Sequence, residues 1–312
     1  MTFVMRITLL SRRTCLFLWC VGCLWRVAPA LASTSVTFPE SWEVGQAFAV
    51  ALSSHTPFES PSVTWMNRVI SLDMEPGREG YVSYALLGSH VRDVKPGDYP
   101  LEFGFIQGDE RFLVKCVVRL KAKKYPEEHL KVDDKMVTPP RSQLARIQKE
   151  TRLAEAARKT MTEERLWTTP PARPVPGVFT SSYGFRRVYN GVAKGYHAGT
   201  DFRAAVGTPI RAPFAGRVVL VGKHYYSGGS VFIDSGNGVV SLFFHMDKID
   251  VKEGDPIKKG QVIGKSGATG RVTGPHLHYG LSLAGQYVDA APLFETSVTA
   301  LLSTMKSEVV RP

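Results

Sequence analysis

The chain has 312 residues, 44% of them hydrophobic and 21% charged, and a formal net charge of +11 at pH 7. That length is ample for two domains with their own cores. Its basic residues form no stripe interleaved with aromatics and it carries no recognised nucleic-acid motif, so nucleic acid is excluded as the expected partner.

Residues 1–32 read as a secretory signal peptide. Arg6, Arg12 and Arg13 precede an apolar run from Cys15 to Trp25, and Ala30-Leu31-Ala32 closes the segment before Ser33. The run is shorter than the ~20 residues a membrane span needs. Cleavage is expected after Ala32, with an uncleaved anchor as the alternative and the one route to a membrane. Cys20-Val21-Gly22-Cys23 faintly resembles a lipoprotein signal, but the Leu usual three places before the Cys is missing. Removal of the segment takes four arginines and lowers the charge from +11 to +7. It also leaves Cys116 as the one cysteine, so no intrachain disulfide can form. Within Phe112–Val118 that thiol reads as a buried small apolar residue. An exported protein, periplasmic or cell-wall associated, is expected, and its positive balance suits anionic bacterial walls.

Residues 33–121 alternate short apolar runs with turn signals: Ser35–Phe38, Ala47–Leu52, Ser62–Trp65, Tyr81–Leu87, Tyr99–Phe105 and Arg111–Val114, with turns at Pro96-Gly97-Asp98 and Gly108-Asp109. The spacing predicts an immunoglobulin-like β-sandwich. Trp42, Trp65, Tyr81 and Tyr84 are expected in its core, with a wall- or glycan-binding platform as the alternative.

Residues 122–176 form a connector. Leu144, Ile147, Ala154, Ala157 and Met161 recur at helical spacing, which predicts an amphipathic helix from Ser142 to Leu166 capped by Ser142. The Pro-rich stretch Thr168–Pro176 is expected to be a stiff extended tether. A helix packed between domains is the default reading; a segment lying over the active groove as an inhibitor is the other.

The segment 177–297 carries the chemistry, with 298–312 as a tail. Tyr196-His197-Ala198-Gly199-Thr200-Asp201 and Gly274-Pro275-His276-Leu277-His278 together supply two histidines and a carboxylate able to ligate a metal, plus a spare histidine. Zn²⁺ at a catalytic site takes three protein ligands and leaves the fourth position open. His-x-His in an extended segment puts both imidazoles on one face, and the apolar-polar alternation through Leu283 favours a strand. Gly199 and Phe202-Arg203-Ala204 favour a turn leading into a strand for His197 and Asp201. His55, His90, His129 and His224 have no partner at ligand spacing and stay outside the site.

Further pieces follow in order: Thr180–Arg187, Gly207-Thr208-Pro209-Ile210, Ala215–Val219, Phe244-His245-Met246, Val251–Asp255 and Gly267-Ala268-Thr269-Gly270. With the histidine motifs, residues 177–293 resemble the lysostaphin/LytM-type family of zinc metalloendopeptidases, which cut peptide cross-links of bacterial cell walls. The resemblance implies a Gly-rich β-sheet or β-sandwich catalytic domain, so the whole chain is expected to be mostly β. It also implies one Zn²⁺ on His197, Asp201 and His278, and a non-ligand catalytic pair, His245 and His276. Met246 stands where the family commonly has Leu, a change between apolar residues.

The implied function is hydrolysis of peptidoglycan peptide stems or cross-bridges by zinc-activated water. Zn²⁺ lowers the pKa of water from 15.7 towards about 7, and histidine titrates in the range needed to move the protons. Either His245 or His276 can serve as base. Tyr189 is either an extra oxyanion donor, as in some relatives, or a groove-wall residue. Two flanks, Ile210–Val219 and Val251–Gln261, also resemble biotinyl and lipoyl carrier domains, but no modifiable-lysine hairpin lies between them. The alternative function is a non-hydrolytic wall-binding activator or scaffold on the same fold; relatives of that kind have lost zinc ligands, whereas all five site residues are present here.

Overall fold

A computed structural model of the protein describes residues 34–310; the expected signal segment lies outside the described residues. Two five-stranded sheets pack face to face in the N-terminal part. One joins Ser35–Phe38, Phe48–Ser54, Gly80–Leu87 and Glu75–Gly77 with the C-terminal strand Lys306–Val309; the other joins Ser41–Glu43, Glu110–Lys121, Gly97–Gln107, Glu59–Trp65 and Arg68–Ser71. Strand Glu110–Lys121 shows why the layers form: Phe112, Val114, Cys116, Val118 and Leu120 are buried while the residues between them face outward. Trp65 lies at the centre, edge-on to Phe48 at 5.4 Å, its indole N–H donating to the Gly88 carbonyl at 2.7 Å. Tyr84 packs on Trp167, and Trp42 and Tyr81 pack against the sandwich core. The Cys116 thiol is buried, which pushes its pKa up to about 12.

Three stretches differ from the sequence expectation. The connector helix spans Arg141–Arg158 rather than reaching Leu166, and Pro140, not Ser142, stands at its N-cap. It stops because the following backbone is captured elsewhere: the Thr162 carbonyl accepts from Asn237 N–H at 2.8 Å, and Leu166 N–H donates to Ser235 at 2.8 Å. The Pro-rich tether is packed down, with Trp167 and Val175 buried in the core of the C-terminal part and Ala172 N–H donating to the Pro213 carbonyl. The stretch read as a tail forms the helix Val298–Leu302 and then the strand Lys306–Val309, which covers the edge of Ser35–Phe38 in antiparallel register.

The C-terminal part is built on one ten-stranded sheet. Its main path runs Phe179–Ser181, Thr200–Arg203, His276–Leu283, Val239–Ile249, Gly228–Asp234, Gly216–His224 and Pro256–Ile257. The connector helix lays Ala154 and Ala157 on Leu220, Phe232, Val240 and Leu242 of this sheet. A second, three-stranded sheet stands beside it: Glu127–Leu130 from the connector pairs in parallel with Arg186–Tyr189, which pairs with Val192–Tyr196. Among the described residues no helix is long and apolar enough to cross a membrane.

Candidate metal centre and active site

Strand register brings the distant motifs together. Asp201 on Thr200–Arg203 sits directly opposite His278 on His276–Leu283, and on its other side His278 faces Phe244 of Val239–Ile249. Cross-strand partners share a face, so carboxylate, imidazole and phenyl form one row. Two residues along, His276 pairs with Arg203 on the same face. His197 follows the strand Val192–Tyr196 and closes the row from the side, its N–H donating to the Phe185 carbonyl at 2.8 Å. The turn between His197 and Asp201 must pass close to His278: a Cβ on Gly199 would lie 2.5 Å from the Tyr279 carbonyl oxygen and 2.6 Å from His278 Nε2.

Three donor atoms converge. His197 Nε2, Asp201 Oδ1 and His278 Nδ1 lie 3.0, 2.9 and 2.9 Å from one another, and all three side chains are buried. Among the described residues this is the one His/Cys/Asp/Glu group disposed to hold a metal ion. The tautomer of His197 sharpens the point. Its Nδ1 lies 2.9 Å from the Ser182 carbonyl, which can only accept, so the proton sits on Nδ1 and Nε2 turns a bare lone pair inward. A lone pair 3.0 Å from a carboxylate oxygen is repulsive unless a proton or a metal ion lies between them, and three such donors in one triangle are a ready seat for the latter. Tetrahedral Zn²⁺ with bonds of about 2.0–2.1 Å spaces its ligands by about 3.3 Å, close to the separations here. The donor set therefore fits zinc.

His245 and His276 are held in the same way. His245 Nδ1 donates to the Thr269 carbonyl and His276 Nδ1 to the Gly274 carbonyl, each at 2.8 Å, leaving each Nε2 bare. The two rings are 4.8 Å apart, and His276 Nε2 lies 3.7 Å from Asp201 Oδ1. In a regular strand His245 would point away from the face that Phe244 occupies. Its backbone instead adopts a left-handed φ of 64°, beside irregular pairing with both neighbouring strands, and this re-aims the ring into the groove. Such strain in a non-glycine residue is typical of functional positions.

The electrostatics follow from burial. Burial, then the nearby charges of His276 and His278, pushes His245 down to about 3, so it is a neutral base at pH 7. Burial likewise lowers His278 to about 4. Burial pushes the Asp201 carboxyl up, but positive charge and hydrogen bonds from protonated His197 and His278 outweigh it and hold the carboxyl well below its ordinary range; with both imidazoles neutral, a bound cation takes over that role.

The row opens into a groove of about 460 Å³. Tyr189 and Tyr226 line it, with the Arg271 guanidinium over both rings at 4.3 and 4.7 Å. The connector helix lines no part of the groove; Glu128, Leu130 and Val132, upstream of it, form one wall. All five residues singled out from the sequence gather here, and His55, His90, His129 and His224 do not. Sequence reasoning missed Phe244, parallel to His278 at 5.1 Å, and the pair Arg187 and Glu128. Phe244 and Arg187 stood within recognised motifs, where their contacts left no separate signal.

Residues 195–290 match the family model described as Peptidase family M23. Over 94 residues the chain is 48% identical to the peptidoglycan DD-endopeptidase ShyA of Vibrio cholerae, covering 30% of this chain and 22% of ShyA. It is 39% identical over 103 residues to lysostaphin of Staphylococcus simulans, covering 32% of this chain and 21% of lysostaphin. The chain thus spans about a fifth of the length of these curated relatives. A crystal structure of a Pseudomonas aeruginosa protein assigned to peptidase M23 superposes with a TM-score of 0.63 at 29% identity, over 81% of this chain and 94% of the other. That likeness extends well beyond residues 195–290.

Proposed function

We propose that this chain, whose residues 195–290 form a peptidase family M23 domain, is an exported zinc metalloendopeptidase that hydrolyses peptide cross-links of bacterial peptidoglycan. The observation that carries the reading is the convergence of three buried donor atoms within 3.0 Å of one another, with two further tautomer-fixed imidazoles facing the same groove. The names of the similar proteins, a peptidoglycan DD-endopeptidase among them, support the substrate class.

His197 Nε2, Asp201 Oδ1 and His278 Nδ1 would hold the ion. When bound there, zinc supplies Lewis acidity that makes water nucleophilic near neutral pH. The other steps fall to His245 and His276. A bare Nε2 takes the proton from the attacking water, and the same nitrogen, now N–H, delivers it to the leaving amine. The second imidazole, when protonated, donates to the oxyanion of the tetrahedral intermediate. Carbonyls on both Nδ1 atoms keep each Nε2 aimed at the reacting groups.

The test is mass spectrometry of muropeptides released from purified sacculi by zinc-loaded protein. Split cross-links are expected from the native chain, and neither zinc nor cleavage from His278→Ala. A zinc-loaded protein that binds sacculi and releases nothing would establish the scaffold reading instead.

A further inference from the structure

Asp201 has two carboxylate oxygens, and only one joins the donor cluster. Oδ2 accepts from the Arg187 guanidinium at 3.0 Å. The same Arg187 nitrogen donates to Ser181 Oγ at 3.0 Å, and the guanidinium's other terminal nitrogen lies 3.1 Å from Glu128 Oε2. Ser181 Oγ in turn donates to Glu128 Oε2 at 3.0 Å, closing the network. Arg187 is 8% exposed, so its charge is stabilised chiefly by these two carboxylates. Glu128 belongs to the connector, on the strand Glu127–Leu130, where it pairs with Arg187 itself in register. It lies far outside the matched segment 195–290.

From this we infer that Arg187 and Glu128 are positioning residues for the metal centre, and that the connector is a working part of the active site. The inference rests on the zinc reading above. Arg187 occupies Oδ2, so Asp201 offers the metal a single oxygen. A carboxylate free to turn would bind through both oxygens and take the position that water needs. The cost of this arrangement is a buried cation beside the metal. Glu128 offsets that charge, so the pair adds orientation with no net positive field. Outer-shell partners of metal ligands act in this way, and their loss typically weakens metal binding about 10–100-fold.

The experiment measures zinc affinity of the full chain by chelator competition, and the visible spectrum of the cobalt-loaded protein, whose intensity reports coordination number. Three variants are compared with the native chain: Glu128→Gln, Arg187→Met and the two combined. Glu128→Gln leaves the cation uncompensated, so zinc affinity falls about 10-fold or more. Arg187→Met frees Oδ2, and the cobalt absorption weakens as coordination rises from four towards five. In the double variant the charge is balanced again, so zinc affinity recovers relative to Glu128→Gln while the altered cobalt spectrum persists. Thermal unfolding of the metal-free proteins identifies any variant that fails to fold; for such a variant Arg187→Lys and Glu128→Asp are substituted, with smaller shifts in the same directions. If the native chain binds zinc and all variants match it in affinity and cobalt spectrum, the inference is overturned while the function stands. If the native chain binds no zinc, both fall.

Discussion

The Phe244 ring lies parallel to the His278 imidazole, with 5.1 Å between centroids and 2° between planes. A flat neighbour on one face and Asp201 at Nδ1 leave the imidazole little rotational freedom, and a preoriented ligand loses less entropy on binding metal. Phe244→Leu keeps most of the apolar volume and should cost less than about 1.5 kcal/mol of stability. The planar support is lost. Zinc affinity should drop about tenfold, in the range of other supporting-residue changes. Equilibrium dialysis beside a urea melt checks both halves; unchanged affinity would mean that Asp201 and the strand alone fix the ring.

His245 combines a left-handed backbone with a catalytic assignment, which separates stability from activity. An L-residue in this conformation costs about 1–2 kcal/mol relative to glycine. Both His245→Ala and His245→Gly remove the imidazole and should lower wall hydrolysis by roughly 10²–10⁴, with zinc retained. The glycine variant should nevertheless be the more stable of the two by about 1 kcal/mol. Equal melting behaviour would argue that the strand relaxes to an ordinary φ once the ring is gone.

These contacts show what was legible beforehand. The candidate donors were visible from local signals, since His276 and His278 share a strand face and Gly199 marks the turn that carries His197 to Asp201; the choice of His278 over His276, and the inclusion of His245, came from the family resemblance. The two-layer N-terminal part was legible for the same reason, since residues such as Phe112, Val114 and Cys116 alternate. The left-handed His245 was not, because the irregular pairing belongs to three strands at once. Glu128 was hidden too: Glu-Glu-His-Leu has no apolar alternation, and its strand exists because Arg186–Tyr189 offers an edge. The helix expectation ran past Arg158 because Met161 and Leu166 continue the spacing, whereas tertiary hydrogen bonds, from Asn237 N–H to Thr162 and from Leu166 N–H to the Ser235 carbonyl, decide the backbone.

Gly199 is a steric requirement with no help from an unusual backbone. An added methyl would meet the Tyr279 carbonyl at 2.5 Å, which is fixed backbone, and His278 Nε2 at 2.6 Å. Gly199→Ala must therefore displace the ligand turn or the ligand strand. A loss of about 1–3 kcal/mol is expected from overpacking, together with loss of most bound zinc. Metal content after gel filtration, with circular dichroism to verify the fold, decides the matter; a folded variant with full zinc would show that the turn has room to move.

His90 gives the fold a pH dependence of its own. The residue is 6% exposed, with Nδ1 2.9 Å from Asp93 Oδ2, and its backbone N–H reaches across to Gln286 of the catalytic part at 3.2 Å. Burial pushes its pKa down from 6.5 to about 4; Asp93 pulls the other way and loses, while Arg92 and Arg158 add to the depression. Between pH 6.5 and 4 the unfolded chain thus binds a proton at this site that the folded chain does not. Stability from this site is fully present above pH 6.5 and is lost as pH falls towards 4, by on the order of 3 kcal/mol. The rest of the chain is common to both proteins, so the difference between the native chain and His90→Gln isolates this residue. That difference, measured by chemical denaturation, should shift in favour of the variant as pH drops from 7 to 4. A pH-independent difference would mean that the folded protein accommodates protonated His90 beside Asp93.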